Sequence, residues 1–276
     1  MEVRDAVHWE HARHLDTDGY RDHFLIQDFF KPDDLKLVYS LYDRMIIGGI
    51  SPQKSISLSI DRRIIGSDYL LDRREMGAIN IGGLGTITID GKKYELENGD
   101  GLYIGMGSKD IEFSSDSSKT PAKFYYNSAP AHMTYPTTKI SLKDAEASKL
   151  GSIESSNTRT IYKYIHPNGV KSCQLVMGVT HLEPNNVWNT MPGHTHRRRI
   201  EVYFYFNIPE NGIVFQIMGK PSETRHLVMR NEEAALHPSW SMHSGVGASN
   251  YSFIWSMAGE NQTFSDMDDI DMSELK

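Results

Sequence analysis

The residues best suited to chemistry lie in Met191-Pro192-Gly193-His194-Thr195-His196-Arg197-Arg198-Arg199-Ile200-Glu201 and, some 40 positions later, Pro238-Ser239-Trp240-Ser241-Met242-His243. On a β-strand, residues two apart project from one face, so His194 and His196 can offer two imidazoles to a single metal ion. Glu201 lies five positions beyond His196, and strict alternation would send it to the opposite face. A shared ion therefore requires a bulge or tight bend between the two residues. His243, arriving from another strand, completes three imidazoles and one carboxylate and leaves positions for water or substrate. Such a donor set suits Zn²⁺, Fe²⁺, Mn²⁺, Ni²⁺ or Co²⁺.

The elements that must position these groups are short β-type runs separated by Gly, Asn and Pro. In Thr86–Leu96, Ile87 and Ile89 alternate with threonines, Asp90-Gly91 supplies a turn, and Tyr94 and Leu96 resume the alternation, which predicts a hairpin with one buried face. Asn98-Gly99-Asp100-Gly101 predicts a second turn before Leu102-Tyr103-Ile104. Comparable strands follow at 202–206, 213–218, 227–229 and 234–236. Laying Leu71-Asp72-Arg73-Arg74 on His196-Arg197-Arg198-Arg199 brings 78–81 onto 203–206, the signature of an internal repeat. Tyr69 and Leu71 then fall opposite His194 and His196. Two mainly β domains are expected, 1–150 without a metal site and 151–276 with one. Residues 143–158 read as linker with a helical turn at 143–150. Asp33–Val38 reads as a capped helical turn, and the N-terminal 45 residues as padding for the first barrel or an oligomer contact. The acidic run 266–271 reads as a solvated face.

The chain has 276 residues, of which 39% are hydrophobic and 24% charged, and its mean hydropathy is −0.47, as expected of a globular protein. Its formal charge of −7 excludes a general polyanion binder, so no nucleic-acid partner is expected and any anionic substrate must meet local arginines. No apolar run approaches the roughly 20 residues that would span a bilayer, so no membrane partner is expected either. One cysteine, Cys173, rules out an intramolecular disulfide and reads as a small buried hydrophobe on a strand. The first residues lack the apolar stretch of a secretory signal, and a cytoplasmic enzyme is the natural reading.

The pattern His-x-His-x4-Glu with the later Pro-x4-His resembles the two motifs of the cupin superfamily. Trp240 stands where that pattern commonly has glycine, and Gly247 where it often has asparagine; neither change removes a ligand. Arg73-Arg74-Glu75, Ile79–Gly83, Pro121–Asn127, Trp188–Pro192, Glu201–Phe206, Glu223–His226 and His243–Gly247, in this order, resemble the 5-keto-4-deoxyuronate isomerase family along nearly the whole chain. The resemblance implies a bicupin of two double-stranded β-helix (jelly-roll-like) barrels. It implies a cytoplasmic homohexamer with one divalent metal per chain, zinc, held by His194, His196, Glu201 and His243. The implied reaction is an aldose–ketose isomerisation in pectin and polyuronate breakdown. It moves the C1 carbonyl of 4-deoxy-L-threo-5-hexosulose uronate to C2, giving 3-deoxy-D-glycero-2,5-hexodiulosonate. His237 is outside the implied ligand set and reads as a barrel-rim histidine.

Removing a proton beside a carbonyl becomes feasible when the developing enediolate is stabilised, a task for a Lewis-acidic ion, and a metal-assisted hydride shift is the alternative route. With Glu201 assigned as ligand, the acid/base candidates are Lys163 and a hydroxide held by the ion. Zinc, having no redox chemistry, suits an isomerase. Arg198 shares strand parity with His194 and His196 and is the first candidate for the substrate carboxylate; Arg225 is the second. Trp188, Tyr203 and Tyr205 are candidate walls of a sugar pocket. Two rival functions use similar residues: a metal-dependent cupin oxygenase and a non-catalytic sugar-binding bicupin.

Overall fold

A computed structural model describes all 276 residues. The chain divides into two compact units, Met1–Arg4 with Asp28–Ala145 and Tyr164–Leu175, and Asp5–Gln27 with Glu146–Lys163 and Val176–Lys276. The units interleave where the sequence suggested one cut near residue 150. Residues 5–27 belong to the second unit, where Leu25–Ile26 adds an edge strand to Glu233–His237.

Each unit pairs a larger β-sheet with a smaller one. In the first, the larger sheet runs Lys36–Ser40, Ile46–Ile50, Phe124–Pro130, Arg74–Asn80, Gly101–Ile104 between two edge strands. In the second, the corresponding order is Arg159–Ile165, Val176–Leu182, Ser252–Gly259, Arg199–Phe206, Glu233–His237. The two orders follow the same chain-order pattern, so the repeat seen in sequence recurs in topology. The smaller sheets run Ile56–Ser57, Ile111–Ser115, Gly85–Ile89, Lys92–Leu96 and Glu223–Met229, Val214–Lys220, Met242–Gly247, Trp188–Thr195, Asp268–Asp269.

The predicted hairpin forms from Gly85–Ile89 and Lys92–Leu96, with Asp90 and Gly91 both at positive φ (49° and 82°) and Ile87 and Ile89 buried. Positive φ at both positions gives the turn the twist its strands require. The first unit closes over an apolar core that includes Leu71, Met76, Ile87, Ile104, Phe113 and Phe124.

Several local expectations fail. Glu146–Leu150 is a strand rather than a helical turn, because it pairs antiparallel with Arg159–Lys163 and that ladder overrides its local composition. Asp33–Val38 leads into the strand Lys36–Ser40, while helices form at Trp9–Ala12 and Thr17–Phe24, capped by the His8 and Asp16 side chains. Cys173 precedes its strand and is only half-buried; its backbone N–H donates to Glu75, which also accepts from Gln174, Leu175 and the Tyr103 hydroxyl.

Candidate metal centre

Within the second unit, His194 is the penultimate residue of Trp188–Thr195 in the smaller sheet, where its register partner is His243 of Met242–Gly247. The chain then leaves that sheet. Arg197 and Arg198 form a turn, and Arg199–Phe206 resumes as a fully buried central strand of the larger sheet. This turn is the bend that the spacing from His196 to Glu201 demanded, and it carries the chain from one sheet to the other. Alternation along Arg199–Phe206 then places Glu201, Tyr203 and Tyr205 on one face. A register irregularity also occurs earlier, between Asn189 and His194.

Four side-chain atoms meet in a closed ring. His194 Nε2 stands 3.2 Å from His196 Nε2 and 3.1 Å from His243 Nε2, while Glu201 Oε2 stands 3.0 Å and 2.9 Å from the same two nitrogens. All four donors lie within 4.8 Å of one another, and all four residues are buried. Hydrogen bonds cannot account for the ring: an imidazole Nε2 carries at most one hydrogen, and His194 faces two other ring nitrogens. Two donors at right angles, each about 2.1 Å from one ion, would stand about 3.0 Å apart. The residues therefore fit a divalent metal.

Electrostatics favour the metal-ready protonation state. Burial, reinforced by His243, depresses the His194 pKa to about 2, and burial also lowers that of His196, so both imidazoles are neutral near pH 7. Burial alone would raise the Glu201 carboxyl, but His243 and His196 more than offset it and hold the group well below the usual carboxylate range. His237 pairs with Glu201 across adjacent strands and stacks on His243 at 5.0 Å, with both ring nitrogens unpartnered. It is an interior residue at 1% exposure, not a rim histidine, and burial keeps it neutral.

A sequence-family model described as KduI/IolB matches residues 28–275. The chain belongs to the KduI/IolB family. Full-length relatives named 4-deoxy-L-threo-5-hexosulose-uronate ketol-isomerase are 55% identical in Caldicellulosiruptor bescii and 54% identical in Yersinia pseudotuberculosis, with all of each protein covered. Among solved structures, an IolB-like protein from Salmonella typhimurium aligns with a TM-score of 0.64 at 15% identity, covering 79% of this chain and 84% of that one. An oxalate decarboxylase from Lactobacillus farciminis aligns at 0.55 and 10% identity, covering 83% and 79%. These two likenesses establish the cupin-type bicupin fold.

In this KduI/IolB-family chain, His194, His196 and Glu201 line a cavity inside the second unit. Phe253, Trp255, Met257 and Phe264 give it apolar walls, and half-exposed Leu150 and Met267 also border it. Its remaining polar groups are Arg159, Thr180, Asn189, Thr190 and Tyr203. The Asn189 amide donates to Thr190 Oγ1, which lies 3.4 Å from the Tyr203 hydroxyl. Burial and the neighbouring Glu201 push the Tyr203 phenol well above its ordinary pKa, so it remains protonated.

Three of the polar residues expected at the site lie elsewhere. Arg198 forms ion pairs with Asp266 and Asp268 at 2.7 and 3.1 Å; the parity that aimed it at the cavity ends at the turn in which it sits. The same pairs show that part of the acidic run is bound rather than simply solvated. Arg225 pairs with Glu223 and donates to the Arg13 carbonyl, bordering a separate cavity beside Thr17–Phe24. Lys163 pairs with Glu146 and rests over the Phe264 ring, outside the cavity lining. Of the expected aromatic walls, Tyr203 is present; Tyr205 instead bonds Gln216, and Trp188 is absent from the lining.

Arg199, by contrast, is 1% exposed and donates to the carbonyls of Asn261, Thr263, Phe264 and Asp266. It holds down the segment that brings Phe264 and Met267 to the cavity.

Proposed function

We propose that the chain is a metal-dependent ketol-isomerase acting on 4-deoxy-L-threo-5-hexosulose uronate and yielding 3-deoxy-D-glycero-2,5-hexodiulosonate. The observation that carries this reading is the ring of three imidazoles and one carboxylate opening into a cavity that contains no other carboxylate or imidazole. The names of the full-length relatives supply the substrate class. Bound by His194, His196, Glu201 and His243, a divalent ion would supply Lewis acidity toward adjacent substrate oxygens.

The chain's own groups perform the remaining tasks. Tyr203, protonated at its phenolic oxygen, donates to a substrate oxygen and does not act as a base. Asn189 and Thr190 fix the Tyr203 side of the cavity through their hydrogen bonds. Phe253, Trp255 and Phe264 limit water access and so protect an enediol from side reactions.

The three-nitrogen, one-oxygen donor set and the absence of any need for redox chemistry support zinc, one ion per chain. Leu71 and Met76 occupy positions that the repeat equates with His196 and Glu201, which supports a first barrel without a metal. A single cysteine agrees with a cytoplasmic setting, and the family resemblance supports a homohexamer.

The test combines elemental analysis with isomerisation of lyase-generated uronate, alongside oxygen uptake. Near-stoichiometric metal and turnover abolished by a chelator are expected. Stoichiometric metal without isomerisation would overturn the reading, and oxygen consumption would replace it with an oxygenase.

A further inference from the structure

The two buried arginines of this fold each direct several donors at protein oxygens, although the Arg199 Nε has no partner. Arg74 donates to Ser128 Oγ and to the carbonyls of Ser128 and Arg44, and Arg199 donates to four carbonyls. Arg159 differs. It lies at the start of Arg159–Ile165, borders the metal-site cavity and is largely desolvated, yet its side chain has one hydrogen bond, to the Asn157 carbonyl at 2.9 Å, and no carboxylate partner. A guanidinium carries five N–H donors in a fork matched to a carboxylate. Partial burial without a counter-charge is enough to lower the pKa of this arginine. Arg159 is also the sole lysine or arginine in the cavity lining.

The sheet order sets its separation from the metal ligands. Arg159–Ile165, Val176–Leu182, Ser252–Gly259 and Arg199–Phe206 are consecutive neighbours, so the strands bearing Arg159 and Glu201 are three spacings, about 14 Å, apart across the sheet; Arg159 starts its strand beside the Thr158–Glu183 hydrogen bond, whereas Glu201 is level with Met257 and Val176 at the other end. Both residues border one cavity, so an acid lying along it meets the arginine at one end and the ligand cluster at the other. A six-carbon uronate has its carboxylate at one end and its reacting carbonyl at the other. The neutral hydrogen-bonding groups Thr180, Asn189 and Thr190 also border the cavity, available to the oxygens between those ends.

We infer that Arg159 binds the substrate carboxylate and thereby orients the six-carbon chain with its reacting end at the His194–His196–Glu201–His243 cluster. This inference rests on the proposed isomerase reading and assigns the anchoring role to neither Arg198 nor Arg225. The acid end occupies the Arg159–Ile165 side of the cavity, and selectivity for an acid over its neutral counterpart resides in one side chain.

The test compares metal-loaded parent, Arg159→Gln and Arg159→Lys on the uronate and its methyl ester, with metal content and calorimetric binding of the uronate measured in parallel. Removing a charge-assisted pair should lower kcat/KM for the acid about 10- to 100-fold, mainly through KM, while ester turnover and metal content stay near parental values. Lysine keeps the charge but loses the fork, so its acid-to-ester ratio should fall between the other two. An Arg159→Gln protein with the parental acid-to-ester ratio would overturn the assignment. Should that variant fail to fold, a parental ratio in Arg159→Lys would do the same. A parent that binds the uronate through Arg159 but does not isomerise it would sink the functional reading alone.

Discussion

Replacing Arg199 with methionine separates two adjacent arginines that look alike in sequence. Methionine retains most of the apolar stem and removes the guanidinium that reaches four carbonyls between residues 261 and 266. Each bond contributes about 1 kcal/mol net, and a buried carbonyl left unpaired costs about 1–3 kcal/mol. The segment is partly exposed, so water can reach some of these oxygens, and four bonds at the lower figure give about 4 kcal/mol. Urea unfolding should therefore show a loss of about 3–4 kcal/mol. Because Phe264 and Met267 belong to the same segment, KM should rise as well. Arg198→Met provides the control. Its ion pairs with Asp266 and Asp268 lie at the solvent boundary, where screening and side-chain entropy leave little net gain, so its unfolding midpoint and KM should stay near parental values. Equal losses in the two variants, or an Arg199→Met midpoint matching the parent, would refute the distinction.

Two further outcomes follow from the metal site and from an isolated histidine. His243→Ala should purify with little metal and negligible isomerase activity, measured by elemental analysis and coupled assay; full metal occupancy would remove His243 from the ligand set. His181 is held below its ordinary pKa by burial, beside Ser252 at 2.7 Å. Below the unfolded-state value near 6.5 the unfolded chain binds the extra proton, so this stabilisation is full above that pH and is lost as pH falls toward the depressed folded value. His181→Gln should flatten the decline in urea midpoint between pH 7 and 5, and an unchanged slope would refute that origin.

The metal-site candidates were legible because spacing carried their geometry. His194 and His196 share strand parity, and the misfit of Glu201 with that parity required the bend now seen at Arg197-Arg198. The same parity misdirected the choice of Arg198, since alternation does not survive a turn. Arg159 gave no local signal: it stands 35 positions before His194, and only the sheet order brings both to one cavity. Glu146–Leu150 was missed for a related reason. Its charged, serine-containing composition reads as linker, and only the ladder with Arg159–Lys163 makes it a strand. Hairpins such as Gly85–Leu96 were readable because their turn residues and alternating faces are local properties.

The segment held by Arg199 gives the C-terminal end of the chain an unusual sensitivity. Tails of many enzymes can be trimmed, extended with tags or allowed to diverge with little effect. Here, cutting before residue 261 would remove Phe264 and Met267 from the cavity and deprive Arg199 of its four acceptors in one step. Most of those acceptors' side chains are unconstrained by the clamp, because the arginine grips backbone carbonyls. Substitutions along the segment should therefore be tolerated far more readily than insertions or deletions, which shift the carbonyl positions. In an evolving lineage, the spacing of residues 261–267 would be held steady while much of their identity drifted.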